Sequence, residues 1–565
     1  MEKDNQKFFI IFIFKNFKGH TLSIIILSLL QALLEVFSII VLVACILNFF
    51  QENEIVFQNI LMQKIMGSNY FSFEKIQGII LFLVLVYLSK NFFLILINWL
   101  KLNLCGKIYK ELSVTTYRNI LEKKVSFFTS FSAGDYAQSV ISETDFIKEI
   151  LICYATIFTE IVIIFCIFLI LFFQDSLLSF NIISLIILGV IIYSIILRKI
   201  NNYLGSKRQK NSINIFNSIL ESILFIKLIK LKNKYSYFTS KIDLLVSNIY
   251  KVNRDFSTIH YSSHILIESF IIIVLYFSTF SLLDTLIYES TDIAKVFFLI
   301  IVSLRFIPSF SIILGSLSTI QYGKAAVNKI SHFLKSFKIE EKFNCSSIKF
   351  KNFEISNVSY KYKNNDDYTL NNINLTISEP SLIGVKGING SGKTTLLNII
   401  AGLIQPEKGY LLLDGKNIYD NDELLFNWRN LIGYVDQNKK FCSQTVYEVI
   451  AFGIKKDNID KHKVSKCLEK VGLLNYFNNM PNGLNADIGE NGTNLSSGQV
   501  QRLSIARSLY DDPKVLVFDE ITNNLDKDSK ILIIKLLNNL KKSNIIFIST
   551  HSETILENCD EIIAL

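Results

Sequence analysis

Six apolar stretches in the first 335 residues, near 21–50, 77–104, 147–173, 177–200, 262–284 and 293–316, limit what this chain can fold into. Each is long enough to cross the hydrocarbon core of a bilayer. A segment facing lipid must pair its own N–H and C=O groups, so each is expected to be a helix. Composition agrees: 50% of the residues are hydrophobic and only 19% are charged, an apolar bias beyond that of soluble proteins. At 565 residues the chain is also too long for one ordinary domain. Only Gln174, Asp175 and Ser176 separate the third and fourth stretches, which predicts a tight helical hairpin.

Six spans return both ends of the membrane part to one side, and the basic residues say which side. The connection after the second span carries Lys107, Lys110, Arg118, Lys123 and Lys124. The one after the fourth carries Lys207, Arg208, Lys210, Lys227, Lys230, Lys232 and Lys234. Asp175, Asp284 and Glu289 stand in the short loops opposite. The N-terminus, both basic loops and the C-terminal half are therefore expected in the cytosol. Topology accounts for the net charge of +9, and no nucleic-acid partner is expected. The run Phe8–Phe14, flanked by Lys7 and Lys15, is short for spanning and lacks a small-residue cleavage site. It reads as an interfacial helix. The eight cysteines are scattered without a CxxC pair, which suits a reduced setting better than a disulfide framework or a zinc site.

The basic loops read as helices that continue the spans. They turn around Ser126-Phe127-Phe128 to Gly134-Asp135, and around Leu224-Phe225-Ile226-Lys227. Exposed aromatics there call for something to bury against, which suggests short docking helices rather than plain surface loops. Residues 51–76 suit either a helix on the outer membrane face or a packed external loop. Glu35, Lys90, Glu160, Glu268 and Arg305 fall where hydrocarbon should be, and such charges face a bundle interior or a wet cavity. Two readings stand: an internal salt-bridge network, or substrate contact by Lys90 and Arg305. Pro308 predicts a kink in the sixth span.

Long apolar runs stop at a linker over 336–349, and the short mixed runs of 350–565 suit an α/β domain. Inside it, the buried-strand pattern Leu382, Ile383, Val385 leads into Gly387-Ile388-Asn389-Gly390-Ser391-Gly392-Lys393-Thr394-Thr395, and then into an apolar helix. A Gly-rich turn between strand and helix aims backbone amides at an anion. The spacing is that of the P-loop, with Lys393 set for the β/γ-phosphates and Thr394 for Mg²⁺. Tyr362 lies upstream, where it could stack an adenine ring. Downstream come a strand ending at Gln437, then Leu495-Ser496-Ser497-Gly498-Gln499 opening a helix. The strand Val515–Phe518 follows, closed by Asp519-Glu520, and finally Ile545–Thr550 before His551.

These motifs, in this order, resemble the ATP-binding domain of ATP-binding cassette (ABC) proteins, and the six spans resemble their exporter-type membrane domain. The implied architecture is an α-helical six-span transmembrane domain over 1–335, then an α/β P-loop NTPase domain over 350–565. The resemblance also implies roles. Gly387, Asn389, Gly390, Ser391, Gly392, Lys393, Thr394 and Thr395 would hold the phosphates of ATP. Thr394, Asp519 and Gln437 would hold Mg²⁺, Glu520 would act on the attacking water, and His551 would stabilise the γ-phosphate. Ser496, Gly498 and Gln499 would face the P-loop of a second copy and complete its site. One membrane domain and one ATP-binding domain imply a half-transporter, expected as a homodimer in a bacterial inner membrane. The pattern departs from the family at Ser497, in place of the commoner glycine, and at Asn523-Asn524. The chain also stops at Leu565, sooner after His551 than relatives usually do, which bears on stability rather than chemistry.

The segments around Glu35, Glu160, Phe225–Leu228, Glu268 and Leu304–Pro308 are similar to the bacterial lipid-linked oligosaccharide flippase. That resemblance implies a pyrophosphate-linked glycolipid as substrate, with Lys90, His264 and Arg305 at basic cavity positions; a fourth such position falls on Ile312. An exporter of a peptide or another amphipathic lipid is the alternative, and a non-transporting regulator a more distant one. The lack of an N-terminal peptidase domain argues against a self-processing peptide exporter.

Overall fold

The computed structural model describes residues 2–50, 73–123, 125–128, 132–172, 176–286, 291–335, 350–362, 367–442, 444–489, 492–522, 525 and 527–565. The expected linker 336–349, residues 51–72 and the expected hairpin connection at 173–175 lie outside the described residues. The chain forms two compact units, one from Met1–Lys123 and Phe128–Lys338, the other chiefly from Ile339–Leu565.

In the first unit, six helices run long among the described residues: Lys18–Phe50, Phe73–Leu121, Thr144–Phe172, Ser176–Leu224, Tyr235–Leu286 and Thr291–Tyr322. Five hold a described window apolar and long enough to cross a membrane; in Thr291–Tyr322 the described apolar part is the shorter Phe306–Tyr322. The second and fourth helices continue past their apolar stretches to Leu121 and Leu224, in keeping with the reading of the basic loops as helical extensions. Short helices Val125–Phe128, Ala133–Gln138 and Ile226–Leu231 stand at the expected turns. Pro308 sits inside the sixth long helix, where it has no N–H to give the helical ladder.

Among the described residues, the two largest apolar clusters of the bundle draw on most of its helices. Ala32, Ile163, Ile186, Ile271 and Phe306 join the first, third, fourth, fifth and sixth long helices. Phe9, Phe12 and Ile13 of the N-terminal helix Glu2–Asn16 pack with Ile108, Ile147, Ile330 and Leu334, while Ile10, Ile11 and Phe14 stay exposed. Close backbone approach is needed at Gly205, where a Cβ would collide with the Tyr322 carbonyl oxygen.

A buried polar network ties the helical extensions together. A π-helical turn, Ser139–Glu143, opens the third long helix and turns Glu143 fully inward. Arg208 donates to Glu143 Oε2 at 2.9 Å, and its guanidinium lies 4.2 Å from the Phe146 ring centre and 5.4 Å from that of Tyr322. Tyr322 stacks in turn on Phe256, centroids 3.9 Å apart. Lys329, in the helix Lys324–Leu334, donates to Asp135 at 3.2 Å and to Gln138 at 3.1 Å. Removing one partner of a buried pair strands the other charge away from water. Arg208→Ala should therefore lower stability by about 3–5 kcal/mol, seen as earlier thermal unfolding in detergent. Adding Glu143→Gln should recover part of the loss; no recovery would mean the pair is not its source.

The second unit holds two sheets. Strands β1 (Phe353–Tyr360), β2 (Leu370–Ile377), β4 (Lys408–Leu413) and β5 (Lys416–Asn417) form an antiparallel sheet in the order β2-β1-β4-β5. Strands β3 (Leu382–Lys386), β6 (Ile432–Val435), β7 (Val515–Asp519), β8 (Ile545–Ser549) and β9 (Glu561–Ala564) form a parallel sheet in the order β6-β7-β8-β3-β9. β7 and β8 are buried at every position, as expected of unbroken apolar runs covered on both faces. Trp428 anchors the layer between the sheets, stacked on Phe353 at 4.9 Å, with its indole N–H donating to the Ile400 carbonyl. The last residues form β9, and the Leu565 N–H donates to the Lys386 carbonyl at 2.8 Å. This order brings the ends of β3, β7 and β8 side by side, at the edge where parallel α/β sheets bind ligands.

Candidate nucleotide-binding site

The loop from Gly387 to Gly392 leaves β3 and enters the helix Lys393–Ile400. Gly390 and Gly392 have φ of +86° and +100°, a backbone that side chains strain to adopt, and the Ser391 N–H donates to the Ile388 carbonyl at 3.2 Å within the turn. A Cβ at Gly387 would collide with Ser391 Oγ. Ser391 Oγ is shielded from solvent and has no hydrogen-bond partner among the described residues, as fits an atom whose partner is a phosphate oxygen.

Lys393 is only 5% exposed. Its Nζ donates to the carbonyls of Gly387 (2.9 Å) and Ile388 (3.2 Å), lies 3.0 Å from His551 Nε2, and is 3.9 Å from Glu520 Oε1. His551 Nε2 also lies 3.0 Å from Asn389 Oδ1 and 3.7 Å from Glu520 Oε1. Gln437 Nε2 donates to Glu520 Oε2 at 2.6 Å. Thr394 Oγ1 donates to Asp519 Oδ2 at 2.7 Å, so the hydroxyl and carboxylate expected to share Mg²⁺ already face each other. A hard dication with oxygen ligands fits that pair. Tyr362 is half-exposed, and its hydroxyl lies 3.0 Å from Thr395 Oγ1, which keeps the ring beside the loop. Lys393, Thr394, Thr395, Asn389, Gln437, Asp519, Glu520, His551 and Tyr362 thus converge.

Ser496, Gly498 and Gln499 do not join them. Ser496 caps the helix Ser497–Ser508, accepting from the Gln499 N–H, while the Gln499 side chain accepts from the Ser496 N–H. Among the described residues no hydrogen bond links this cap to residues 387–395. Asn523 and Asn524 lie outside the described residues.

One member of the site was not singled out in the sequence. Ser549, which reads there as the end of an apolar strand, donates from Oγ to Asp519 Oδ1 at 2.5 Å and accepts from the Glu520 N–H at 2.9 Å. Its signal was a hydroxyl closing Ile545–Ile548 directly before the Thr-His pair.

In the helical unit, Lys90 Nζ lies 3.3 Å from Glu35 Oε2, donates to Ser38 Oγ at 3.5 Å, and stands 4.7 Å from the Tyr87 ring centre. This geometry belongs to the salt-bridge reading of the intramembrane charges. His264 is exposed, with Nδ1 3.8 Å from Glu268 Oε2 one turn on, and Ile312 is also exposed. Glu160 is buried. Arg305 is part of the helix Thr291–Tyr322, and its side chain lies outside the described residues.

Burial pushes the Asp519 carboxyl above its ordinary range, against the opposing pull of the Ser549 and Thr394 hydroxyls. A carboxylate with a raised folded-state pKa contributes stability below its unfolded pKa and loses it as pH rises through the folded value. In metal-free protein the buried Asp519 is thus a cost as pH rises above the ordinary carboxylate range. Asp519→Asn should raise the melting temperature without nucleotide or divalent cation and remove the stabilisation by added Mg²⁺. A lowered melting temperature would show that the hydroxyl bonds outweigh burial.

Residues 21–304 match the family model described as ABC transporter transmembrane region, and residues 370–523 the one described as ABC transporter. The chain is 34% identical over 208 residues to the ATP-dependent lipid A-core flippase of Idiomarina loihiensis, a match covering 37% of this chain and 35% of that protein. It is 28% identical over 505 residues to the multidrug resistance-like ATP-binding protein MdlB of Buchnera aphidicola, covering 86% and 84% of the two chains. In fold it is similar to a bacterial Atm1-family ABC exporter with ATP bound, with a TM-score of 0.78 at 16% identity, over 98% of this chain and 93% of that one.

Proposed function

Because this chain belongs to the ABC transporter family, with both its transmembrane region and its ATP-binding domain, we propose that it is a half-transporter coupling ATP hydrolysis to movement of an amphipathic substrate across a membrane. The observation carrying this reading is the convergence of Lys393, Thr394, Gln437, Asp519, Glu520 and His551 around the Gly387–Gly392 loop, in a chain with long apolar helices.

The residues would act as follows. Lys393 exchanges its loop carbonyls and His551 for phosphate oxygens, joined by the loop amides and Ser391 Oγ. Thr394 and Asp519, with Gln437, hold a magnesium ion, which when bound neutralises charge on the β- and γ-oxygens. Glu520 orients or deprotonates the attacking water, and His551 steadies the γ-phosphate with Asn389 beside it. Tyr362 stacks the adenine. Ser496, Gly498 and Gln499 serve the loop of a second copy, so the working unit is a homodimer with two shared sites. Loss of the γ-phosphate contacts lets the copies part, shifting the population between two arrangements of the membrane helices. We place six spans in a bacterial inner membrane, over residues 1–335, with the N-terminus and the ATP-binding domain, 350–565, in the cytosol.

For the substrate we propose a lipid with a pyrophosphate-linked oligosaccharide. The resemblance that sets basic residues at Lys90, His264 and Arg305 supports it, since cations in a low-dielectric cavity suit a diphosphate, for which Lys90 would exchange Glu35. The relative named a lipid A-core flippase supports a glycolipid more broadly, and the one named multidrug resistance-like keeps another amphipathic substrate as the alternative.

Reconstituted vesicles test the reading. ATP-dependent flipping of a fluorescent lipid-linked oligosaccharide is expected, and ATP hydrolysis without movement of any candidate would overturn transport. The double variant Lys90→Ala, Arg305→Ala should flip poorly while still hydrolysing ATP; wild-type flipping would remove the headgroup role. Glu520→Gln should retain bound ATP and lower turnover by about 10²- to 10⁴-fold, and substantial residual hydrolysis would mean that Glu520 is not the base.

A further inference from the structure

We propose that Ser549 is a positioning residue for ATP hydrolysis, its one hydroxyl setting both the metal-side carboxylate of Asp519 and the backbone that carries Glu520. The proposal rests on the ATPase reading above and adds to it a residue that acts through two others.

Ser549 ends β8, the strand between β7 and β3, and is fully buried. Parallel register sets it opposite Asp519 on one side and Val385 on the other. The four residues before it, Ile545 to Ile548, are apolar and lie within the core, so a hydroxyl here has no solvent to turn to. A serine hydroxyl has one proton to give and two lone pairs to offer. Here the proton goes to Asp519 Oδ1 at 2.5 Å, and a lone pair takes the Glu520 N–H at 2.9 Å.

Each bond fixes something the chemistry needs. The end torsion of an aspartate is broad and close to two-fold, so packing alone sets it poorly. Tying Oδ1 to Ser549 leaves Oδ2 as the oxygen that faces Thr394, 2.7 Å away, on the side where the cation is expected. Glu520 has φ of +47°, a left-handed backbone that a non-glycine residue holds only when its surroundings impose it. Its N–H is held by Ser549 Oγ, with the longer 3.2 Å contact to the Ser549 carbonyl behind it. That backbone turn aims the Glu520 carboxylate at Gln437, Lys393 and His551. Ser549→Ala frees the Asp519 carboxylate to rotate and takes the nearer acceptor from the Glu520 amide.

The test uses the full-length protein in detergent or nanodiscs. It compares the wild type, Ser549→Ala, Ser549→Thr, and Ile548→Val as a control that loosens the same strand without touching either carboxylate. The readouts are kcat and KM for ATP, the Mg²⁺ concentration for half-maximal rate, and binding of a fluorescent ATP analogue in EDTA and in Mg²⁺. Losing a hydrogen bond to a charged group lowers kcat of Ser549→Ala by about 10- to 100-fold, with KM for ATP little changed. The half-saturating Mg²⁺ rises, and the tightening of analogue binding by Mg²⁺ falls while binding in EDTA stays at the wild-type level. Ser549→Thr, which keeps the hydroxyl, recovers the Mg²⁺ dependence, and Ile548→Val never loses it. A Ser549→Ala protein with wild-type kcat and Mg²⁺ dependence overturns the proposal, as does an Ile548→Val protein with the same losses. A wild type that hydrolyses no ATP overturns the ATPase reading instead, because analogue binding with and without Mg²⁺ still reports on the carboxylate.

Discussion

The parallel register across β3, β8 and β7 is the constraint on which the ATP-binding unit depends. It sets Val385, Ser549 and Asp519 in one row, so the strand that feeds the phosphate loop and the strand that ends in acids finish at the same level. A slip of one residue would turn Asp519 to the opposite face and break its bond to Thr394. The apolar runs in these strands leave no such freedom, because both faces are covered and every slot is filled. Chemistry at the sheet edge is thus held in place by packing within it.

The helical unit meets a different constraint: charges cannot be left alone in apolar surroundings. Lys90 lies against Glu35 on a neighbouring long helix, and Arg208 reaches Glu143 between two aromatic rings. The π-helical turn that carries Glu143 is the local distortion that brings its carboxylate inward. Each pair ties two helices of the bundle: Lys90 and Glu35 join apolar stretches, where apolar contact alone gives little preference for one neighbour over another, and Arg208 and Glu143 join the extensions.

How much could be read from residues alone follows from the range of each interaction. Helical spans, their extensions beyond Leu104 and Ile200, and the strand-loop-helix at Gly387 are encoded within short windows, and they stand where those windows indicate. The convergence of Lys393, Asp519 and His551 was legible only because their motif order resembles a known family; their spacing spans most of the domain. Ser549 was missed because its partners lie thirty residues away in the chain, and a serine closing an apolar strand reads as an ordinary strand end. Lys90 was open between two readings for the same reason, since its nearest carboxylate is 55 residues distant. The self-satisfied state of Lys393, held by its own loop, leaves no mark in sequence at all.

The unbroken helix Ser176–Leu224 has 49 residues, which at 1.5 Å per residue makes it about 74 Å long. A bilayer core is about 30 Å thick, so more than half of this helix projects beyond it. A rod of this length has the geometry of a lever. A tilt of a few degrees at the short arm, too small to break the packing around Ile186 and Val190, sweeps Leu224 through several ångströms. Backbone hydrogen bonding along its whole length keeps the lever stiff, so distance itself becomes the means of amplification.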